Sequence, residues 1–244
     1  MKGGSGFLNP DRFTVILSRP DSPENVGLTA RAMKNTGFNR LRLVTDKPLR
    51  SGAYITAVHA HEILENSKRF SDLDQAVQDL NVVFAASARR RKNFPGLPLS
   101  GLIPQIKAWP PGTCIGLLFG NERTGLSSHE LRRSSFRIVL PQASQQPSYN
   151  LASAVLLVLF HLFVNKHKEN SLCESPPEIP LSRSEQDACI ELILKKLELL
   201  NFIHSGNREH IRDRVYDLFG RMAMTEPDRR LLLAIFSNLD DMKK

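Results

Sequence analysis

Three short segments of this 244-residue chain gather side chains that can hold a polar ligand and act on it. The first, Asn25-Val-Gly-Leu-Thr-Ala-Arg31, follows an apolar run. Asn25 reads as a helix N-cap, and Arg31 falls one to two turns into that helix, where a guanidinium can reach back over a sheet edge and clamp a phosphate. The second, Phe119-Gly-Asn-Glu-Arg-Thr-Gly-Leu126, leads from an apolar run into Ser127-x-x-Glu130, a capping box. Gly120 and Gly125 permit tight turns and close approach to a flat ligand, and Glu122 supplies a carboxylate. The third, Pro141-Gln-Ala-Ser-Gln-Gln-Pro-Ser-Tyr-Asn-Leu151, puts Ser148 and Asn150 at the entrance of a long apolar helix. Side-chain oxygens there cap unpaired amides, or the backbone holds a polar ligand. Taken singly, each segment has an ordinary explanation: a surface arginine, a strand-to-helix turn and a pair of helix caps. The second is not a phosphate loop, because GxxxxGK[ST] is absent.

The elements that must position these segments are legible as periodicity. Phe13 to Ser18, Leu41 to Thr45, Val82 to Ser87, Cys114 to Phe119 and Phe136 to Leu140 are short apolar runs that read as strands. Helical patterns fall near Val26 to Thr36, Ala57 to Leu64, Leu73 to Leu80, Gly101 to Ala108 and Ser128 to Arg133. Strands apolar on both faces and separated by helices imply an α/β domain with a mostly parallel sheet covered on both sides. A longer helix, about Leu151 to His167, is apolar on most of its surface, so it needs a sheet edge or a second subunit against it. Residues 169–183 shift to Ser, Glu and Pro and read as a linker. Ser184 to Leu200, Asn207 to Gly220 and Thr225 to Leu239 then read as three amphipathic helices, with Thr225 as an N-cap. The expected organisation is a catalytic domain over 1–168, the linker, and a small helical domain over 184–244.

The formal net charge is +8, and its distribution says more than its size. Residues 1–170 hold 22 basic against 12 acidic residues, and residues 171–244 hold 11 against 13. The field of the first part attracts a polyanion such as RNA. Arg89-Arg90-Arg91-Lys92, directly after an apolar strand, is the candidate RNA-contacting edge. Cys114, Cys173 and Cys189 are odd in number and form no CxxC pair, which argues against a disulfide framework or thiolate zinc site and suits a reducing cytoplasm. No export signal or membrane anchor is visible. His59 and His61 lack a third ligand, so no metal is expected, and Trp109 beside Pro110-Pro111 is expected to pack a loop.

In their order, their separations and their strand-to-helix settings, the three segments resemble the motifs of the SpoU, or TrmH-type, class of the SPOUT superfamily. The chain looks most like the TrmJ subfamily, tRNA 2′-O-methyltransferases acting in the anticodon loop. The motif resemblance covers residues 13–167, and the linker and three-helix tail match the subfamily's layout. It implies a deep trefoil knot at the C-terminal end of the sheet, against the general absence of knots. It also implies S-adenosylmethionine as cofactor, bound by Ala86, Ser87, Ala88, Gly120, Leu140, Pro141, Ser148, Tyr149, Asn150 and Leu151, and a homodimer formed through the long helix and the first-motif helix.

The implied reaction is in-line transfer of a methyl group to a ribose hydroxyl, a poor nucleophile whose proton must be removed or shared. Arg31 matches the residue given that role in the family and would contact RNA phosphate and hydroxyl. A guanidinium normally keeps its proton, so its role as base would need the RNA phosphate's help. Asn25 and Glu122 match positions that orient Arg31 and the ribose. Ser148 and Asn150 match those flanking the cofactor and the arginine. Tyr149 stands where relatives often carry an aliphatic residue. Ribosomal RNA as substrate, or a catalytically silent RNA-binding protein on the same scaffold, are the alternatives. A nicotinamide-binding oxidoreductase would need GxGxxG after the first strand, and no such glycines follow Ser18.

Overall fold

The computed structural model describes residues 6–88, 96–143, 148–166 and 178–238. Its centre is a seven-stranded sheet of β1 (Phe13–Ser18), β2 (Leu41–Val44), β3 (Lys68–Phe70), β4 (Val82–Ala86), β5 (Gly96–Pro98), β6 (Ile115–Phe119) and β7 (Phe136–Val139). The order is β3-β2-β1-β6-β4-β7-β5, and every pairing is parallel. Successive strand side chains alternate between two apolar clusters, as the period of two demands. Val15, Leu17, Phe84 and Leu117 enter one, and Ile16, Val83, Ala85 and Leu118 enter the other. Trp109 belongs to the first cluster. Its ring meets Phe84 and Phe136 at 6.1 and 5.6 Å, so it is a core residue and not a loop prop.

The helices are α1 (Pro23–Thr36), α2 (Ser51–Ala57), α3 (His61–Glu65), α4 (Leu73–Val77), α5 (Leu102–Lys107), α6 (Ser128–Arg132) and α7 (Leu151–Lys166). α1 packs against α2 and α7. The first approach depends on Gly27, where an added Cβ would stand 2.0 Å from the Ala53 carbonyl oxygen. The helix expected over Ala57 to Leu64 is broken: α2 ends at Ala57, Val58 takes a positive φ of 55°, and α3 starts afresh at His61.

Three further helices, α8 (Arg183–Leu199), α9 (Arg208–Phe219) and α10 (Glu226–Asn238), enclose their own cluster around Ile190, Ile193, Phe219 and Met224. α8 begins at Arg183, one residue earlier than expected, because Ser182 and Glu185 form a capping box. The approach to α8 is fastened to the edge where the strands begin: Asn81 Nδ2 donates to the Pro180 carbonyl at 2.6 Å and Arg183 N to that of Leu80 at 3.1 Å. Among the described residues no helix is long and apolar enough to cross a membrane.

Candidate active site

In a parallel sheet with helical crossovers, the loops that leave the strands all lie along one edge, and ligands bind there. The ends of β4 and β7, the loop after β6 and the entrance to α7 meet at that edge around a cavity of about 330 Å³, and the turn after β1 backs the loop after β6. Ala86, Ser87, Ala88, Gly120, Leu140, Ser148, Tyr149 and Leu151 line it, together with the rest of the 119–126 loop. Pro141 faces a neighbouring hollow beyond Ala88, and Tyr149 Oη donates to its carbonyl at 2.7 Å.

The 120–126 loop closes on itself. Asn121 Oδ1 accepts from the N–H groups of Arg123 and Thr124 at 2.9 and 3.1 Å, and Gly125 turns with φ +65°. At Gly120 a Cβ would lie 2.6 Å from Gly125 C and Leu126 N, so only glycine lets the loop fold this tightly.

Asn25 is not the N-cap of α1. Ser22 is, with Pro23 at the first helical position, and Ser22 Oγ accepts from Asn25 N at 3.2 Å. The Asn25 side chain is thereby released for longer contacts. Its Nδ2 donates to Glu122 Oε1 at 2.8 Å, and its Oδ1 accepts from Asn150 Nδ2 at 2.8 Å. Asn150 is the true cap of α7, its Oδ1 taking the N–H of Ala152 at 2.9 Å. Glu122 also accepts from Asp21 N and Ser22 N at 2.8 and 3.2 Å. Half-burial pushes its pKa up, but these donors outweigh that and hold it below the ordinary glutamate value. The three motifs are thus joined by one directed chain, Glu122 to Asn25 to Asn150 to the start of α7.

Arg31 lies outside this chain. It follows Asn25 by six residues, about 9 Å further along the helix and on another face. It is exposed, does not line the cavity, and makes no hydrogen bond or ion pair among the described residues. Ser148 is exposed at the cavity wall. The basic run Arg89 to Lys92 lies outside the described residues. His61 Nε2 lies 2.8 Å from the Tyr54 carbonyl oxygen, and among the described residues no three metal-ligating side chains cluster.

Residues not singled out from the sequence also shape the site. Ser18, Arg19, Asp21 and Asn121 brace the turn after β1, and the capping-box Glu130 reaches back to it. The cap was visible locally. Its long-range partners were not.

A family model described as the SpoU rRNA Methylase family matches residues 12–160. The chain belongs to that family. It is 32% identical over 215 residues to the tRNA (cytidine-2′-O-)-methyltransferase TrmJ of Methanocaldococcus jannaschii, covering 86% of this chain and 90% of that one. To the tRNA (cytidine/uridine/adenosine-2′-O-)-methyltransferase TrmJ of Pseudomonas aeruginosa it is 29% identical, with 93% of each chain covered. Among SpoU-family and related structures, the crystal structure of TrmJ from Z. mobilis superposes with a TM-score of 0.77 at 27% identity, over 93% of this chain and 98% of that chain. The SpoU methyltransferase AviRb from Streptomyces viridochromogenes, solved with AdoMet, shares the fold at a TM-score of 0.51 and 16% identity, over 64% and 58%.

Proposed function

We propose that this chain transfers a methyl group from S-adenosylmethionine to a ribose 2′-hydroxyl of tRNA, in the anticodon loop. The observation that carries the reading is that the second and third motif segments wall one cavity and the first is tied to both by the Glu122–Asn25–Asn150 chain. The cavity suits a nucleoside without phosphates. Leu126, Leu140, Leu151 and Ala154 offer apolar walls for a purine, strand ends offer backbone groups, and Arg123 is the one basic residue among its described lining. When bound, the cofactor supplies an electrophilic methyl on a sulfonium. The chain's residues do the rest: the Gly120 loop and the strand ends hold the adenosyl group, and the Asn25–Asn150 pair fixes α1 against the start of α7. Arg31 meets the RNA phosphate and the attacking hydroxyl.

Support for tRNA comes from relatives named for it that match 86–93% of this chain, beyond the 12–160 family region and into the three-helix tail. In this reading the sheet carries a deep trefoil knot at its C-terminal end, helices α8 to α10 form a small all-α domain, and the enzyme works in the cytoplasm. Arg89 to Lys92 contact RNA. Support for a homodimer comes from α7, whose Leu156, Leu157, Phe160, Phe163 and Val164 are exposed, as is Leu28 of α1, the helix packed against it. Arg31 shares the exposed face of α1 with Leu28, so a partner there would bring a second molecule's surface to the arginine.

Incubation with isotope-labelled S-adenosylmethionine and separated tRNA and rRNA, followed by nucleoside mass spectrometry, tests this. The label is expected in a 2′-O-methylated nucleoside of tRNA. Label confined to rRNA would support the ribosomal substrate, and no transfer to either would defeat the enzymatic reading.

A further inference from the structure

Glu130 is almost fully buried, and its contacts exceed what a helix cap requires. Within the capping box its Oε2 accepts from Ser127 N at 2.6 Å, while Ser127 Oγ accepts from Glu130 N at 3.2 Å. The same carboxylate crosses to the end of β1. Oε1 accepts from Ser18 Oγ, and Oε2 accepts from Arg19 at 2.7 Å. Arg19 stands in the left-handed region with φ +51°, a conformation that is costly for a residue with a Cβ and persists only where the surroundings fix it. The backbone there is pinned on both sides. Arg19 N donates to the Val44 carbonyl at 2.9 Å, and the Arg19 carbonyl accepts from Asn121 Nδ2 at 2.7 Å.

This left-handed residue sets the path of the next three. Asp21 N and Ser22 N are the donors that Glu122 collects, and Ser22 is the cap of α1. Two carboxylates from one short stretch of chain therefore grip the two ends of the same turn, Glu130 at Ser18 and Arg19, Glu122 at Asp21 and Ser22.

We infer that Glu130 is a positioning residue: by locking the left-handed turn at Arg19 it aligns the Asp21 and Ser22 amides with Glu122, and so holds the 119–126 wall of the cavity in its ligand-binding shape. This rests on the methyl-transfer reading. Glu130 does not line the cavity and acts through Arg19, Asn121 and Glu122. Its charge is needed, since a neutral amide at the same place presents one oxygen acceptor and a donor in place of two acceptors.

The test uses the full-length protein, titrated calorimetrically with S-adenosylmethionine and with tRNA, and amide exchange followed at Asp21 and Ser22. Glu130→Gln is expected to weaken cofactor binding about tenfold and to speed exchange at those two amides, with tRNA affinity within about twofold of wild type. Glu130→Asp, which restores the charge with a shorter reach, should recover part of the loss. Arg19→Ala combined with Glu130→Gln should weaken binding by less than the product of the single effects. Unchanged cofactor affinity and unchanged exchange in a folded Glu130→Gln protein would overturn the inference. So would loss of folding in both Glu130→Gln and Glu130→Asp, which would make Glu130 a stability residue. A wild-type protein that binds no S-adenosylmethionine would instead defeat the enzymatic reading on which the inference stands.

Discussion

The two edges of the sheet solve the same problem with opposite charges. At the edge where strands end, the crossovers start helices, and helix starts present unpaired N–H groups. Carboxylates collect them there: Glu122 takes Asp21 N and Ser22 N, and Glu130 takes Ser127 N. At the edge where strands begin, chain arriving from the helices presents carbonyl groups, and buried arginines collect those. Arg12 donates to the carbonyls of Phe7, Pro110 and Thr113, and Arg183 donates to that of Gly220 and to the side chains of Ser135 and Gln186. Complete burial pulls the Arg183 pKa down to about 10, so it remains charged at neutral pH.

The edges differ in what covers them. The arginine edge is closed by α8, with Arg133 bridging Asp187 at 2.8 Å and Asp74 at 2.7 Å. The carboxylate edge is left open as a cavity. One edge is therefore expected to serve stability and the other chemistry, and substitutions should separate the two.

The largest effect is expected from Arg31→Ala, on the helix that starts at the open edge: methyl transfer should fall by about 100-fold or more while cofactor affinity stays within about twofold. Single-turnover rates beside calorimetry check this, and retained turnover would remove Arg31 from the chemistry. Asn25→Ala cuts the link between Glu122 and Asn150, and displacing α1 from α7 should cost up to about 100-fold in rate. Its stability should fall by only about 1–2 kcal/mol. An equal loss of both would erase the distinction between the edges.

At the closed edge the balance should reverse. Asp187→Ala leaves Arg133 and Arg183 short of a counter-charge and should destabilise by about 3 kcal/mol. For a chain of this size that lowers Tm by about 6–12 °C, readable by calorimetric melting, with cofactor affinity unchanged. The smallest effect is a pH dependence. The pKa of Glu122 and of Glu130 is held below the ordinary 4.5 despite burial, because the donors around each favour the charged form. Their stabilising contribution is therefore complete above pH 4.5 and is lost as the pH falls through the lower folded-state values. Melting curves from pH 7 to about 3 should show less acid loss in Glu122→Gln than in wild type.

Much of the sheet was legible because its central strands are apolar on both faces. β3 and β5 were not, since each has three residues and one neighbouring strand. Lys68-Arg69-Phe70 and Gly96-Leu97-Pro98 carry no apolar run to betray them. α2 escaped for another reason. Ser51–Ala57 contains glycine and branched residues and lacks a side-chain cap, so its helix rests on contact with α1 at Gly27. Of the site, the three motif segments were visible as residue types. The position of Asn25 was not, although Ser22-Pro23 is itself a helix-start signal. The reach of Glu130 across more than a hundred residues to Ser18 is a property of strand order, which no local pattern encodes.

The central claim, that three loops along the open edge make one cofactor pocket, is tested most directly by a crystal structure with S-adenosylhomocysteine. The account predicts the adenine among Leu126, Leu140 and Leu151, against the Gly120 loop. Density for the ligand at any other place, with this cavity empty at saturating concentration, would contradict it.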